Sequence, residues 1–132
     1  MRKLVLAAGV AFATMLFASG CKHPGSQKLT GRWKGSKADG VSADQQMNAN
    51  VFASGTEIIA KDDQIAVTTP IGKPVQATYT VDSEDKTSVT IHTDKDGPAQ
   101  RETFTFSDDG NTMTWKVDPG SGRTITFARV SR

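Results

Sequence analysis

Val75-Gln76-Ala77-Thr78-Tyr79-Thr80-Val81 alternates apolar and polar residues with hardly a break. An extended backbone places Val75, Ala77, Tyr79 and Val81 on one face and the intervening polar side chains on the other. Three further stretches repeat the arrangement: Thr103-Phe104-Thr105-Phe106, Thr112-Met113-Thr114-Trp115-Lys116-Val117 and Thr124-Ile125-Thr126-Phe127. Each sets large apolar groups against a Thr-x-Thr pair. β-branched threonine favours the extended backbone while its hydroxyl meets water, as in a half-buried antiparallel strand. Period two wins over period 3.6.

The punctuation agrees. Asp82-Ser83-Glu84-Asp85-Lys86, Asp94-Lys95-Asp96-Gly97-Pro98, Ser107-Asp108-Asp109-Gly110-Asn111 and Asp118-Pro119-Gly120-Ser121-Gly122 separate the strands at short, regular intervals. They are rich in the residues that supply turn geometry. Upstream, strands are predicted at 29–36, 47–53, 56–61 and 64–69, with turns at Ser54-Gly55, Asp62-Asp63 and 70–74. Residues 37–46 fit a loop, a strand or a short helix opened by Ser42. The expected fold is all-β, an antiparallel up-and-down meander of eight or nine short strands. Such a meander forms a small barrel or half-barrel, since closure removes two exposed edges.

The first 21 residues are different in kind. Arg2 and Lys3 precede an apolar run from Leu4 to Ala18, and Ala18-Ser19-Gly20 leads to Cys21, the single cysteine of the chain. About fifteen apolar residues fall short of the roughly 20 needed to span a bilayer. The stretch resembles a bacterial lipoprotein signal with a lipobox, although Ala18 stands where that motif usually has leucine. The resemblance implies cleavage before Cys21, a diacylglycerol on its thiol and acylation of the new amino terminus. Residues 1–20 are then the signal peptide, 21–28 the lipidated cysteine and a polar tether, and 29–132 the folded domain. Lys22 follows the cysteine; in Gram-negative lipoproteins an aspartate there usually signals inner-membrane retention. The expected location is therefore the bacterial cell envelope and, in a Gram-negative host, the outer membrane facing the periplasm rather than the inner membrane.

Removing 20 of the 132 residues leaves 112, enough for one small domain. Arg2 and Lys3 leave with the signal, which reduces 16 basic residues to 14 against 14 acidic ones. That balance gives no reason to expect nucleic acid as a partner. One cysteine excludes a disulfide framework and a cysteine-rich metal site.

Leu29-Thr30-Gly31-Arg32-Trp33 sets a Gly-x-Trp on the first strand, and Phe127-Ala128-Arg129-Val130 ends the last. In these features the domain resembles the lipocalin-like group of small bacterial secreted proteins and lipoproteins. The resemblance implies a barrel whose closed end is plugged by Trp33, with Arg129 packed over it and Gly31 bending the backbone. A guanidinium on an indole face is worth about 0.5–2 kcal/mol. The domain is shorter than a typical lipocalin. Tyr79, Phe104, Phe106, Trp115 and Phe127 therefore either line a ligand pocket or fill the interior, because eight strands leave room only for side chains or one small ligand.

Nothing in the chain spells out catalysis. His92 should point outward from a strand carrying Val89 and Ile91 inward, and His23 falls in the tether. Asp94-Lys95-Asp96-Gly97 superficially matches part of a calcium loop. However, His92 stands where that loop needs an oxygen ligand and Thr103 where it needs a glutamate, so it reads as a turn. No catalytic residue, metal site or cofactor is assigned. The expectation is a non-enzymatic, lipid-anchored envelope protein that binds a small apolar ligand or a protein partner. The alternative is an inhibitor or envelope-assembly lipoprotein acting through an outer face or loop.

Acylation of Cys21 is directly testable. Cys21→Ser should abolish incorporation of a clickable fatty acid during metabolic labelling; equal label on wild type and variant would rule the lipoprotein reading out.

Overall fold

The computed structural model describes residues 25–118 and 122–132. Cys21, Lys22 and His23 lie outside the described residues. The fold is a closed antiparallel barrel of eight strands in chain order, with one short helix. The strands are β1 (Gly31–Asp39), β2 (Glu57–Lys61), β3 (Gln64–Thr68), β4 (Val75–Glu84), β5 (Ser88–Thr93), β6 (Glu102–Phe106), β7 (Thr112–Asp118) and β8 (Arg123–Ser131). Between β1 and β2 lie a 3-10 turn (Ala43–Gln45) and helix α1 (Gln46–Ser54). It is a small lipocalin-like barrel.

Closure runs through β1 and β8. Trp33 pairs with Arg129, Gly35 with Phe127 and Ala38 with Ile125, with irregularities of register at Arg32/Trp33 and Gly35/Lys37. The alternating face faces inward as the threonine pattern requires. Ala77, Tyr79, Phe104, Phe106, Met113, Ile125 and Phe127 are all buried. They join Trp33, Ile58, Ala60, Ile65, Val89 and Ile91 in a single core. Phe104, Trp115 and Ile125 form one cross-strand row, and Phe106, Met113 and Phe127 form the next. Val75, expected on the buried face, sits at the barrel rim with 53% of its surface exposed.

One end of the barrel, the base, is closed. Trp33 is fully buried there, its indole N–H donating to the Leu29 carbonyl at 2.9 Å and its ring 5.7 Å from that of Phe106. The Arg129 guanidinium lies 4.2 Å from the centre of the Trp33 ring. It donates to three carbonyls: Gly110 at 3.0 Å, Thr30 at 2.6 Å and Lys28 at 3.1 Å. These bonds tie the last strand to the β6–β7 turn and to the incoming chain. Gly31 makes the approach possible: its φ is +140°, and a Cβ there would stand 2.5 Å from Arg129 Nη1. Residues 25–28, assigned by composition to the tether, instead pack on the base. Ser26 is buried, and its backbone N–H donates to the Tyr79 hydroxyl at 2.9 Å. Burial pushes the Tyr79 pKa up, partly offset by that bond, with Asp63, Glu84 and Asp62 adding to the rise.

The strand predicted at 47–53 is a helix. Met47, Ala49 and Val51 imitate alternation, but Ala49, Phe52 and Ala53 follow helical spacing and pack against the core. β1 also runs on to Asp39, three residues beyond its predicted end at 36, while β2 pairs only with residues 31–34. As a helix the segment satisfies its own backbone groups. Helix α1 is pressed close to β1 at Gly35, where a Cβ would meet the Ala53 carbonyl oxygen at 1.9 Å.

Trp33→Ala should lower stability by about 3–5 kcal/mol, as large aromatic deletions in cores do. Arg129→Ala should cost about 1–2 kcal/mol, combining a cation–π contact with charge-assisted hydrogen bonds. Urea unfolding of the two single variants and the double variant should return a favourable coupling energy between them; strictly additive losses would show that the stack contributes nothing.

Candidate functional site

The end opposite the base is the mouth, and α1 lies across part of it. A nine-residue helix is marginal on its own in water. Here it is fastened to the free edge of β1. The Asn50 side-chain carbonyl accepts from the Ala38 backbone N–H at 3.0 Å, and the Gln46 amide donates to the Ala38 carbonyl and to Asn50. The two amide side chains thus take the place of the strand that β1 lacks along its second half. At the other end of the helix, Gly55 faces the Pro70 ring so closely that a Cβ would stand 2.5 Å from it.

Between α1 and the inner wall of β7–β8 lies a cleft of about 480 Å³. Phe52, Ala49 and Val41 line it from the helix side, and Ala38, Ile125 and Val117 from the barrel. Asp39, Gln45, Asn48, Arg123 and Thr124 supply its polar rim. Its volume falls in the roughly 300–1,000 Å³ range of small-molecule sites, and its mix of apolar lining and a few polar groups is theirs as well.

The aromatic residues singled out in the sequence lie elsewhere. Tyr79, Phe104, Phe106 and Phe127 are buried in the core, and Trp115 is half-buried among them. The Trp115 ring stacks on Phe104 at 6.1 Å and tilts against Phe127 at 6.4 Å. None of the five lines the cleft. Gly31, Trp33 and Arg129 come together at the base, at the far end of the barrel. The cleft residues escaped notice because those on the helix side fall in 37–53, whose helical spacing was masked by the Met47, Ala49, Val51 alternation.

One carboxylate faces inward. Glu102 shares a strand face with Phe104 and Phe106, and its register partner is Ile91. Its Oε1 accepts the Trp115 indole N–H at 2.8 Å. Burial pushes its pKa above the usual glutamate value, the Trp115 bond opposes that, and the nearby Asp96 charge adds to it. Two signals bore on this residue: the parity of Glu102 with Phe104, and a tryptophan needing an acceptor on the paired strand.

His92 occupies the outer surface, as its parity required. Its Nδ1 lies 2.8 Å from Asp82 Oδ1, and Arg101 Nε lies 3.4 Å from the other oxygen of Asp82. The 94–97 segment is a hydrogen-bonded turn. Asp94 accepts from the Thr78 N–H, and Thr93 Oγ1 from the Asp96 N–H. Among the described residues no three His, Cys, Asp or Glu side chains are grouped to hold a metal.

No protein-family model matches this sequence, and no curated protein matches it significantly. The assignment of a site therefore stands on geometry alone.

Glu102 makes stability depend on pH in a definite sense. A carboxyl whose folded-state pKa is raised binds its proton more tightly when folded, so its contribution favours the fold at low pH. That contribution is lost as pH rises from the ordinary glutamate value, about 4.3, through the raised one. Glu102→Gln should therefore have a higher Tm than wild type at pH 7. The gap should close at pH values below about 4, where both side chains are neutral. Thermal unfolding followed by circular dichroism across this range checks it; a Tm difference independent of pH would refute it.

Proposed function

We propose that this chain is a lipid-anchored envelope protein, non-enzymatic, whose barrel mouth binds a small apolar ligand in the cleft between α1 and β7–β8. One observation carries the reading: a cleft of about 480 Å³ with largely apolar walls lies at the mouth, beside a packed core. The wall of Phe52, Ala49, Val41, Val117 and Ile125 suits an aliphatic chain, for which each buried methylene contributes about 0.8 kcal/mol. The polar rim of Asp39, Asn48 and Arg123 suits a head group left at the water boundary. The lipidation reading of Cys21 supports the location, and the geometry of the chain entry is compatible with it. Residues 25–30 cross the base, so an anchor at residue 21 would hold the base toward the membrane and leave the mouth facing the aqueous side.

A second reading, docking of a protein partner through the outer face of the mouth, has its own observation. Met47 and Val51 stand one turn apart on the outside of α1 and are 77% and 63% exposed, while Ile71 in the β3–β4 turn is 75% exposed. Apolar groups so placed contribute nothing to the barrel core.

The readings separate by mutation. Ala49→Trp fills the cleft and should weaken binding of dodecanol, followed by intrinsic fluorescence, by at least about tenfold, or 1.4 kcal/mol. Met47→Ser with Val51→Ser should leave dodecanol binding unchanged. Binding that survives Ala49→Trp, or fails in the wild type, would overturn the cleft assignment.

A further inference from the structure

We infer that a recess at the base of the barrel is an anion site, taking a phosphate group from an acidic phospholipid of the membrane that holds the anchor. It lies at the opposite end from the cleft and does not depend on ligand binding there. Only the choice of a lipid as the source of phosphate rests on the lipidation reading of Cys21. The recess measures about 280 Å³ and opens between the incoming chain and the β6–β7 turn. Four cationic side chains line it, Lys28, Lys86, Arg129 and Arg132, against two acidic ones, Asp108 and Asp109. The cations come from the incoming chain, the β4–β5 turn and the end of β8. In a mature domain with 14 basic and 14 acidic residues, that excess is local.

Part of this lining is already committed. Asp109 Oδ1 accepts from Ser107 Oγ at 2.7 Å and from the Asn111 N–H at 3.0 Å, and Lys28 is paired with Glu84 at 3.4 Å. None of the ion pairs among the described residues includes Lys86, Arg129 or Arg132. Arg129 is the fixed element of the three. The Trp33 ring and three carbonyls hold its guanidinium in one orientation, and those bonds use three of its five N–H groups, leaving two. Carbonyls satisfy N–H groups without neutralising the charge. Burial, and after it the charge of Arg132, lowers the Arg129 pKa, so these two cations stand close enough to repel. An anion between them relieves that repulsion, and the several oxygens of a phosphate suit the guanidinium fork.

The chain entry brings this end of the barrel to the membrane. Gly25, with a φ of +130°, is pressed on the β2–β3 turn so closely that a Cβ would stand 1.7 Å from the Asp62 carbonyl oxygen. Ser26, next in the chain, is buried. The four residues from Cys21 to Gly25 reach at most about 14 Å. An acylated Cys21 therefore keeps the base close to the lipid head groups.

The test uses the chain from Lys22 onward, which contains the whole closed barrel and carries no anchor. In sedimentation, vesicles of phosphatidylcholine and phosphatidic acid in equal parts should bind it at least about tenfold better than pure phosphatidylcholine. Lys86→Gln with Arg132→Gln removes two exposed charges at the base and should weaken that binding by at least about tenfold. Lys73→Gln with Lys95→Gln removes two at the mouth and should change it by less than about twofold. Inorganic phosphate should shift the Arg129 Nε–H resonance saturably in wild type and lose at least about tenfold in affinity in the base variant. Phosphate binding without vesicle binding would overturn the lipid as source and leave free phosphate as the occupant. If neither probe engages the base, or the mouth pair matters as much as the base pair, the anion site is refuted, whatever dodecanol does in the cleft.

Discussion

The pairing of β1 with β8 is the constraint on which the rest of this small domain depends. An up-and-down meander leaves two edges of unpaired backbone groups, and closure satisfies both at once. Because the ends of the domain must meet, Trp33 and Arg129, almost a hundred residues apart in the chain, become direct cross-strand neighbours. Arginine on an inward-facing position would ordinarily be costly. Here its charge lies on an indole and its N–H groups reach three backbone carbonyls, so burial is compensated group by group.

With the base filled this way, the cleft beside α1 lies at the opposite end. The interior is occupied by aromatic and aliphatic rows down to Trp115, and a recess lies between α1 and β7–β8. β1 outruns β2, and Asn50 and Gln46 of α1 bond Ala38 on the side of β1 that β2 leaves open. The same mismatch of strand lengths therefore gives the helix its attachment beside the cleft.

His92 illustrates the difference between a reactive side chain and a reactive site. Paired with Asp82 on the outer surface, it has the oriented imidazole found in many hydrolases. No hydroxyl or thiol of the described residues bonds its other nitrogen. A surface contact of this kind contributes little to stability.

Much was legible from residues 75–127. Period-two alternation with Thr-x-Thr outer faces and Asp/Gly-rich turns is local information, and the strands formed where the pattern said. Trp33 and Arg129 were also legible as a pair once closure was assumed, because strand parity alone points Arg129 inward. The helix was not. Met47, Ala49 and Val51 alternate as a strand would, whereas Ala49, Phe52 and Ala53 have helical spacing, and the packing of the second set against the barrel decided between them. Glu102 was readable as inward-facing by parity, yet its bond to Trp115 arises only from β6–β7 register. Alternation along the chain is set by backbone geometry within each strand, so sequence determined the strands and their faces. Which faces meet, and what space is left between them, depends on register and strand length summed around eight strands, and only the tertiary structure decided that.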